Sequence, residues 1–365
     1  GLGRAPALPD PDRYVSRFAH CDVLVVGAGP AGIAAALTAA AAGARLILCD
    51  EQAEPGGSLL AEAEARVGGE PAQTWLAEAL ATLARAPRVT LLPRTTAFGY
   101  FAHNMLGLCE RVTDHLAAPP PHLPRERLWQ VRAAEVVLAT GALERPLVFP
   151  ANDRPGIMLA DAARTYLQRY GVRAGTRAVV ATAHDSAYRA ALDLHAAGVT
   201  VAAIADLRRD ADGALPEAAR AAGIPARTAT AVTGSGGRHR VAWVTLAPTG
   251  GGAAETVACD LLLMCGGWTP SVHLFSQSRG RLRYDADLQG FVPSLSVERE
   301  RSAGACRGVF GLAAALADGA AAGEAAAKAA GFGGARAPRI AVEGAAFGGG
   351  GMLGLIPGAD ARRAF

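Results

Sequence analysis

Three glycines and one acid carry the clearest chemistry in this sequence. Gly27, Gly29 and Gly32 stand at G-x-G-x-x-G spacing, and Asp50 follows 18 residues after the last of them. Gly27 permits a tight turn, Gly29 leaves room for a pyrophosphate, and Gly32 lets a helix pack closely on a strand. A helix starting at this turn aims unpaired N–H groups and the positive end of its dipole at the phosphates. Asp50 is placed to accept hydrogen bonds from the adenosine ribose hydroxyls, and with Glu51 it repels a 2′-phosphate. The expected ligand is NAD or FAD rather than NADP.

The flanking residues supply the elements such a site needs. Asp22–Val26 is a short apolar strand, the alanine-rich run after Gly32 a helix, and Arg45–Cys49 a second strand, together one βαβ unit. The bland alternative is a glycine-rich strand-to-helix turn with no ligand; the strand before it, the helix after it and the acid argue against that. Gly56-Gly57-Ser58 forms a backbone turn able to pass close to the ribose or pyrophosphate. Residues 71–86 have helical periodicity, and Val89–Leu92 reads as the next strand. Thr95 and Thr96 close that strand where backbone atoms meet an adenine edge. Leu128–Ala133 alternates as a strand expected to pair near Gly99, and Glu135–Ala139 is a further strand ending in the Thr140-Gly141 turn, expected against the cofactor.

The pattern then repeats without its glycines. Arg177–Ala181, Ser186–Ala197 and Thr200–Asp206 make a second βαβ unit, but Thr182-Ala183-His184-Asp185-Ser186-Ala187 replaces the G-x-G-x-x-G turn. Side chains there fill the space a pyrophosphate needs, and Asp185 competes with a phosphate for the helix dipole. One bound dinucleotide is expected, not two. Asp185 or Ser186 reads as an ordinary N-cap, and His184 as a loop or interface residue rather than a ligand or base.

Residues 227–246 and Thr256–Met264 read as a meander, after which Cys265–Pro270 returns the chain to the first unit. Gly308–Ala314 occupies the place of a strand that, in two-domain flavoproteins, ends in an Ala-Gly-Asp turn. Ala314 and its neighbours stand where that Asp would be, before an alanine helix over 316–330, which favours NAD over FAD.

Composition narrows the class. The 365 residues suffice for two or three domains, and a net charge of +3 with 19% charged residues points to no nucleic-acid partner. Lys328 is the only lysine among the 36 basic residues, a bias that fits genome composition better than a phosphate-binding surface. Cysteines 21, 49, 109, 259, 265 and 306 form no C-x-x-C pair and no metal spacing, which excludes a redox-active disulfide of the disulfide-reductase kind and fits a reducing, cytoplasmic setting. No apolar run has membrane-spanning length and no leader opens the chain, so no membrane association is expected. Starting at Gly1 and stopping at Phe365, the chain has the look of a region cut from a longer protein. The expected division is an N-terminal extension (1–20) lying over the surface, a first nucleotide-binding domain (21–165), a second, degenerate one (166–258), a return to the first (259–330), and a linker (331–365). Phe347, Met352, Leu353, Leu355 and Ile356 suit that linker to docking on a missing C-terminal domain. No nucleophile, metal cluster or paired acid stands out, so no catalytic residue is assigned.

Several segments together resemble one family. CDVLVVGAGPAGIAAALTAAAAGARLILCDEQAEPGGSLL, LLPRTTAFGYFAHNMLGLCERVTDHL, VVLATGALERPLVFPANDRPGIMLADAARTYLQRYGV and FGLAAALADGAAAGEAAA are similar to the α subunit of heterotetrameric bacterial sarcosine oxidases, over nearly the whole chain. The resemblance implies an α/β, two-dinucleotide-binding-domain fold of the FAD/NAD(P)-binding, pyridine nucleotide-disulfide oxidoreductase type, three-layered ββα, with its second nucleotide site degenerate. It implies a complex with β, γ and δ subunits that oxidises sarcosine at flavin, forms hydrogen peroxide and passes the one-carbon unit to tetrahydrofolate. FMN and FAD are expected in the partner subunit, and NAD, without hydride turnover, in this one. The matching NAD positions are Gly27, Gly29, Ala31 and Gly32 at the phosphates and Asp50, Glu51 and Gln52 at the ribose. Ser58, Thr96, Ala97, Thr140, Gly141, Gly311 and Leu312 complete the pocket, with Gly57 in the adjoining turn. His103, Asn104, His115 and Asn152–Pro155 also resemble family signatures, with turn and hinge roles expected. The alternatives are an FAD-binding α subunit of a related amine, proline, opine or cyanide-forming dehydrogenase, and a binding scaffold with an empty pocket.

Overall fold

A computed structural model describes residues 3, 7–334, 336–344, 351–352 and 356. The chain opens with β1 (Tyr14–Val26), α1 (Pro30–Ala41), β2 (Leu46–Cys49), α2 (Ala72–Arg85), β3 (Val89–Leu92), β4 (Thr95–Phe101), β5 (Met105–Arg111) and β6 (Glu126–Leu138). It continues through β7 (Ala142–Glu144), β8 (Ile157–Leu159), α3 (Ala160–Tyr170), β9 (Arg177–Thr182), α4 (Ser186–Ala196), β10 (Thr200–Asp206) and β11 (Ala226–Arg227). Strands β12 (Thr230–Gly236), β13 (Trp243–Pro248), β14 (Glu255–Ala258), β15 (Leu261–Cys265), β16 (Trp268–Pro270) and β17 (Glu300–Ser302) follow, and α5 (Leu312–Ala329) closes the series.

Two long strands carry the first unit. β1 and β6 pair in parallel from Tyr14 against Glu126 to Val26 against Leu138. Beyond β1, β2 and β3 extend the parallel sheet. β6 is shared lengthwise: its first half pairs antiparallel with β5, its last residues in parallel with β17. One face of this sheet is buried by α1, α2 and α5. On the other face, Leu24, Ile47 and Val136 of the parallel half share a core with Tyr100, Leu106, Trp129 and Val131 of the antiparallel half, which gives the ββα layering. The second unit repeats the plan: its sheet runs β8-β15-β9-β10-β11, with α3 and α4 on one face and the β12–β14 meander on the other.

The alanine-rich helices have a packing reason. Cβ atoms added at Gly319 and Gly323 of α5 would lie 2.0 Å and 2.3 Å from the carbonyl oxygens of Ala31 and Ala35 in α1. The two helices therefore touch backbone to backbone and run in the same direction, a contact that tolerates only small residues.

Several sequence expectations change in the structure. Residues 14–20 do lie on the surface, but as the first half of β1, because β-formers Tyr14, Val15 and Phe18 find a full-length partner in β6. Leu128–Ala133 and Glu135–Ala139 are one strand, since Ala134 between them supplies no turn, and the neighbour of its first half is β5, not the strand near Gly99. Leu261–Cys265 leaves the meander for the middle of the second parallel sheet, and Ile157–Leu159 joins it there. Gly308–Gly311 is not strand; the parallel strand ending at the carboxyl edge of the first sheet is Glu300–Ser302, and α5 begins at Leu312. Within the expected linker, Met352 N–H donates to the Gly266 carbonyl and Ile356 is buried in the second unit's core, while Phe347, Leu353 and Leu355 lie outside the described residues. No described helix is long and apolar enough to cross a membrane.

Candidate nucleotide-binding site

The carboxyl ends of β1, β2, β3, β6 and β17 lie along one edge of the first sheet, the edge where parallel α/β sheets bind ligands. Gly27 ends β1 at φ +100°, and a Cβ there would lie 2.3 Å from the Ala139 carbonyl oxygen. Gly29 is the N-cap of α1, followed by Pro30 at the first helical position, where a missing N–H costs nothing. The first turn of α1 leaves N–H groups without intrahelical acceptors. The Ala31 side chain is buried, packed between Gly304 and Gly319, so what this residue offers a ligand is backbone.

The acid and the turn after it close round this helix end. Asp50 Oδ2 accepts a hydrogen bond from Ala28 N–H and Oδ1 one from Gln52 N–H. Gly56 N–H donates to the Ala28 carbonyl, and Gly57, at φ +55°, comes so near Gly29 that a Cβ would lie 2.9 Å from its Cα. Gly57 and Ser58 are exposed there. The Glu51–Gln52 backbone is held from outside: the Arg111 guanidinium donates to the Glu51 carbonyl, and Arg94 N–H to that of Gln52. Arg94 in turn pairs with Asp114, whose carboxyl is held below the usual range by the Arg94 guanidinium. Sequence spacing gave no signal for this clamp, since it spans the unpredicted strand β5.

Of the two threonines at the adenine edge, Thr95 is buried and its N–H is used on the Asp50 carbonyl, whereas Thr96 and Ala97 are half-buried on β4, the last strand of its sheet. Thr140 Oγ1 donates to the Ser271 carbonyl and Ser271 N–H to that of Gly141, a clasp between the segments that cross to and from the second unit. Gly141, at φ +73°, faces open space. Gly311 caps α5 at φ +84°, and Leu312 is its first residue. Eight residues before the Gly319–Ala31 contact, that helix start stands about 12 Å further along the axis, past the start of α1. The structure therefore gathers Gly27, Gly29, Gly32, Asp50, Gly57 and Ser58 around one helix end, brings Thr140 beside Gly27, where a Cβ would lie 3.5 Å from the Thr140 nitrogen, and sets Gly311 and Leu312 further out. Asp318, four residues after Ala314, is used on Gly304 N–H and Arg307.

The matching region of the second unit is filled by protein. Thr182 Oγ1 donates to the His184 carbonyl; His184 Nδ1 lies 2.8 Å from Ser186 Oγ, to which Trp268 Nε1 also donates. At the end of β10, Asp206 is fully buried, bound by Tyr188 and Arg208, and Arg208 also pairs with Asp185. Asp185 stands at the N-cap position without a side-chain cap bond, contrary to the expected capping role, because its carboxylate goes to Arg208. The basic residue two places after Asp206 was the sequence signal for this closure.

Below this cluster lies Glu144, just after the clasp. Its Oε2 accepts from Asp161 N–H at the start of α3, the Cys265 thiol stands beside it, and burial pushes its carboxyl up to about 8. Burial likewise raises the Cys265 thiol. Arg145 donates to carbonyls of Gly266, Trp268, Leu288 and Gln289, tying the two crossings together. Asn104 is buried, donating to the carbonyls of Ala134 and Arg299 and accepting from Tyr100 OH and Arg299 N–H, and Arg154 donates to Ser235 and Gly237; both hold turns. Cysteines 21, 49, 109, 259, 265 and 306 are all unpaired, and no group of His, Cys, Asp or Glu among the described residues could hold a metal ion.

This is the fold and site of a nucleotide-binding oxidoreductase, and the chain belongs to the pyridine nucleotide-disulphide oxidoreductase family, whose model matches residues 21–297. It is 46% identical over 339 residues to the sarcosine oxidase subunit alpha of Corynebacterium sp. (strain P-1), covering 91% of this chain and 35% of that protein. It is 44% identical over 331 residues to the subunit of that name from Rhizobium meliloti (strain 1021), covering 89% and 32%. The chain thus spans about a third of the length of these curated relatives. Among solved structures, the L-proline dehydrogenase of P. horikoshii superposes with a TM-score of 0.68 at 19% identity, over 89% of this chain and 58% of that one, a likeness of fold.

Proposed function

We propose that this chain is the NAD-binding region of the α subunit of a sarcosine oxidase complex, acting with β, γ and δ subunits on the CH–NH group of sarcosine with oxygen as acceptor. In this reading the chain itself carries no catalytic residue. The observation that carries it is the 46% identity to a sarcosine oxidase α subunit across nine-tenths of the chain.

The residues present fit a dinucleotide. A Cβ at Gly29 meets nothing within 4 Å, and the helix end behind it presents free N–H groups. Asp50 keeps lone pairs for ribose hydroxyls after accepting from Ala28 and Gln52. NAD, when bound, supplies a nicotinamide ring able to exchange hydride; this chain supplies the pyrophosphate turn, the ribose acid and the Thr140-Gly141 wall. Ala314 supports NAD over FAD, because it stands where an acid would hold a flavin's ribityl chain, and Asp318, the next acid along, is engaged with Gly304 and Arg307. The filled pocket of the second unit supports a single nucleotide.

Denaturing the purified protein and identifying the released nucleotide by mass spectrometry tests this. Colourless NAD at one per chain is the expected result. Yellow FAD supports an α subunit of the related amine, proline or opine dehydrogenase kind, and no nucleotide supports a scaffold.

A further inference from the structure

At the other end of the first sheet, where its parallel strands begin, lies an open cavity of about 500 Å³. Its wall is the step at which β1 and β6 pass from the antiparallel to the parallel half. His20 and Arg132 sit side by side there in register, and His103, in the β4–β5 hairpin, lines the same space. The acids around it are outnumbered. Asp22 is shared by Arg45 and Arg88 at 3.7 Å each, Glu135 by Arg299 and Arg301, and Glu298 is paired with Arg279. The side chains of Arg132, His20 and His103 have no hydrogen-bond or ion-pair partner among the described residues. The floor is fixed, since Asn104 spends its side chain on Tyr100, Ala134 and Arg299.

From this surplus of positive charge in a concave, metabolite-sized space we infer a second binding site, for a small polyanion whose phosphate or paired carboxylate oxygens are held by Arg132. A guanidinium with all its donors free matches such oxygens in a planar, two-bonded geometry. The concavity concentrates the field of the unbalanced arginines on whatever enters. The cavity is separated from the Gly27 turn by the length of the parallel strands, so it takes a different molecule from the nucleotide.

The test is calorimetric titration of the protein, saturated with NAD, with inorganic pyrophosphate and separately with citrate. Submillimolar binding of at least one probe is expected, and the tighter of the two names the group as phosphate or carboxylate. Arg132 is exposed, so Arg132→Ala should leave the melting temperature unchanged while weakening that probe by about tenfold, the factor a charge-assisted hydrogen bond carries. Arg132→Lys should fall between. Binding equal in wild type and Arg132→Ala puts the ion elsewhere and overturns the inference. So does the absence of binding by both probes.

Discussion

Gly29 and Gly32 lie within one helical turn and face opposite surroundings. A Cβ on Gly29 has no atom within 4 Å, whereas one on Gly32 would sit 1.7 Å from the Gly27 carbonyl oxygen and 3.3 Å from the Ala139 Cβ. The fold closes the Gly32 position to a side chain and leaves the Gly29 position open, as the proposed nucleotide site needs, and mutation separates the two. Gly29→Asp should melt within about 2 °C of wild type, as surface changes do, yet retain no nucleotide, because its carboxylate occupies the phosphate position. Gly32→Ala should lose about 3 kcal/mol of stability through forced backbone movement, read by chemical denaturation.

Asp50 links recognition to the turn itself through Ala28 N–H and Gln52 N–H. Asp50→Asn keeps the size, removes the charge and turns one of the two acceptors that face Ala28 N–H and Gln52 N–H into a donor. Nucleotide affinity should drop by about tenfold, within the range of hydrogen bonds to a charged group, while NADP, repelled by the native carboxylate, should lose less than NAD. Calorimetric titration of both nucleotides measures the ratio. Wild-type protein binding NADP as tightly as NAD would refute the assigned role of this acid.

The site was legible wherever it depended on neighbours in sequence. Gly27 to Gly32, Asp50 and the missing glycines at 182–187 are local patterns, and their backbone consequences follow from them. What sequence reading missed is long-range pairing. The Arg94–Asp114 and Arg111–Glu51 contacts depend on β5, whose Met105–Arg111 run carries its buried Leu106 and Leu108 around a Gly107 that reads as a break. The unbroken β6 was missed because Ala134 interrupts the apolar alternation without ending the strand. The alanine content of α1 and α5 gave helices but not their mutual contact, which is a property of Gly319 and Gly323 facing Ala31 and Ala35.

That contact fixes the α1 end at which the proposed nucleotide site lies. Gly319→Val should push α5 off the Ala31 carbonyl and cost about 3 kcal/mol or more by overpacking, with nucleotide affinity falling alongside. A Gly319→Val protein with wild-type denaturation midpoint and nucleotide content would show that α5 packs elsewhere.

Glu144 makes the junction between the units sensitive to pH. In the unfolded chain its carboxyl ionises near 4.5, whereas in the fold burial holds the proton up to about 8. Between those values the native state binds a proton that the unfolded state has released, so this group's contribution to stability declines as pH rises through that window and is flat above it. The cause is geometric. Enclosure at the junction disfavours the charged form and Asp161 adds a nearby negative charge, which together outweigh the hydrogen bonds from the Asp161 N–H and the Cys265 thiol. Glu144→Gln puts a neutral group in the same volume and removes the titration. Compared with wild type, the variant should gain about 3 kcal/mol between about pH 5.5 and about pH 8.5, since moving a pKa by one unit corresponds to about 1.4 kcal/mol. Urea denaturation at the two pH values measures it, and parallel pH profiles for wild type and variant would show that Glu144 is already ionised in the native protein.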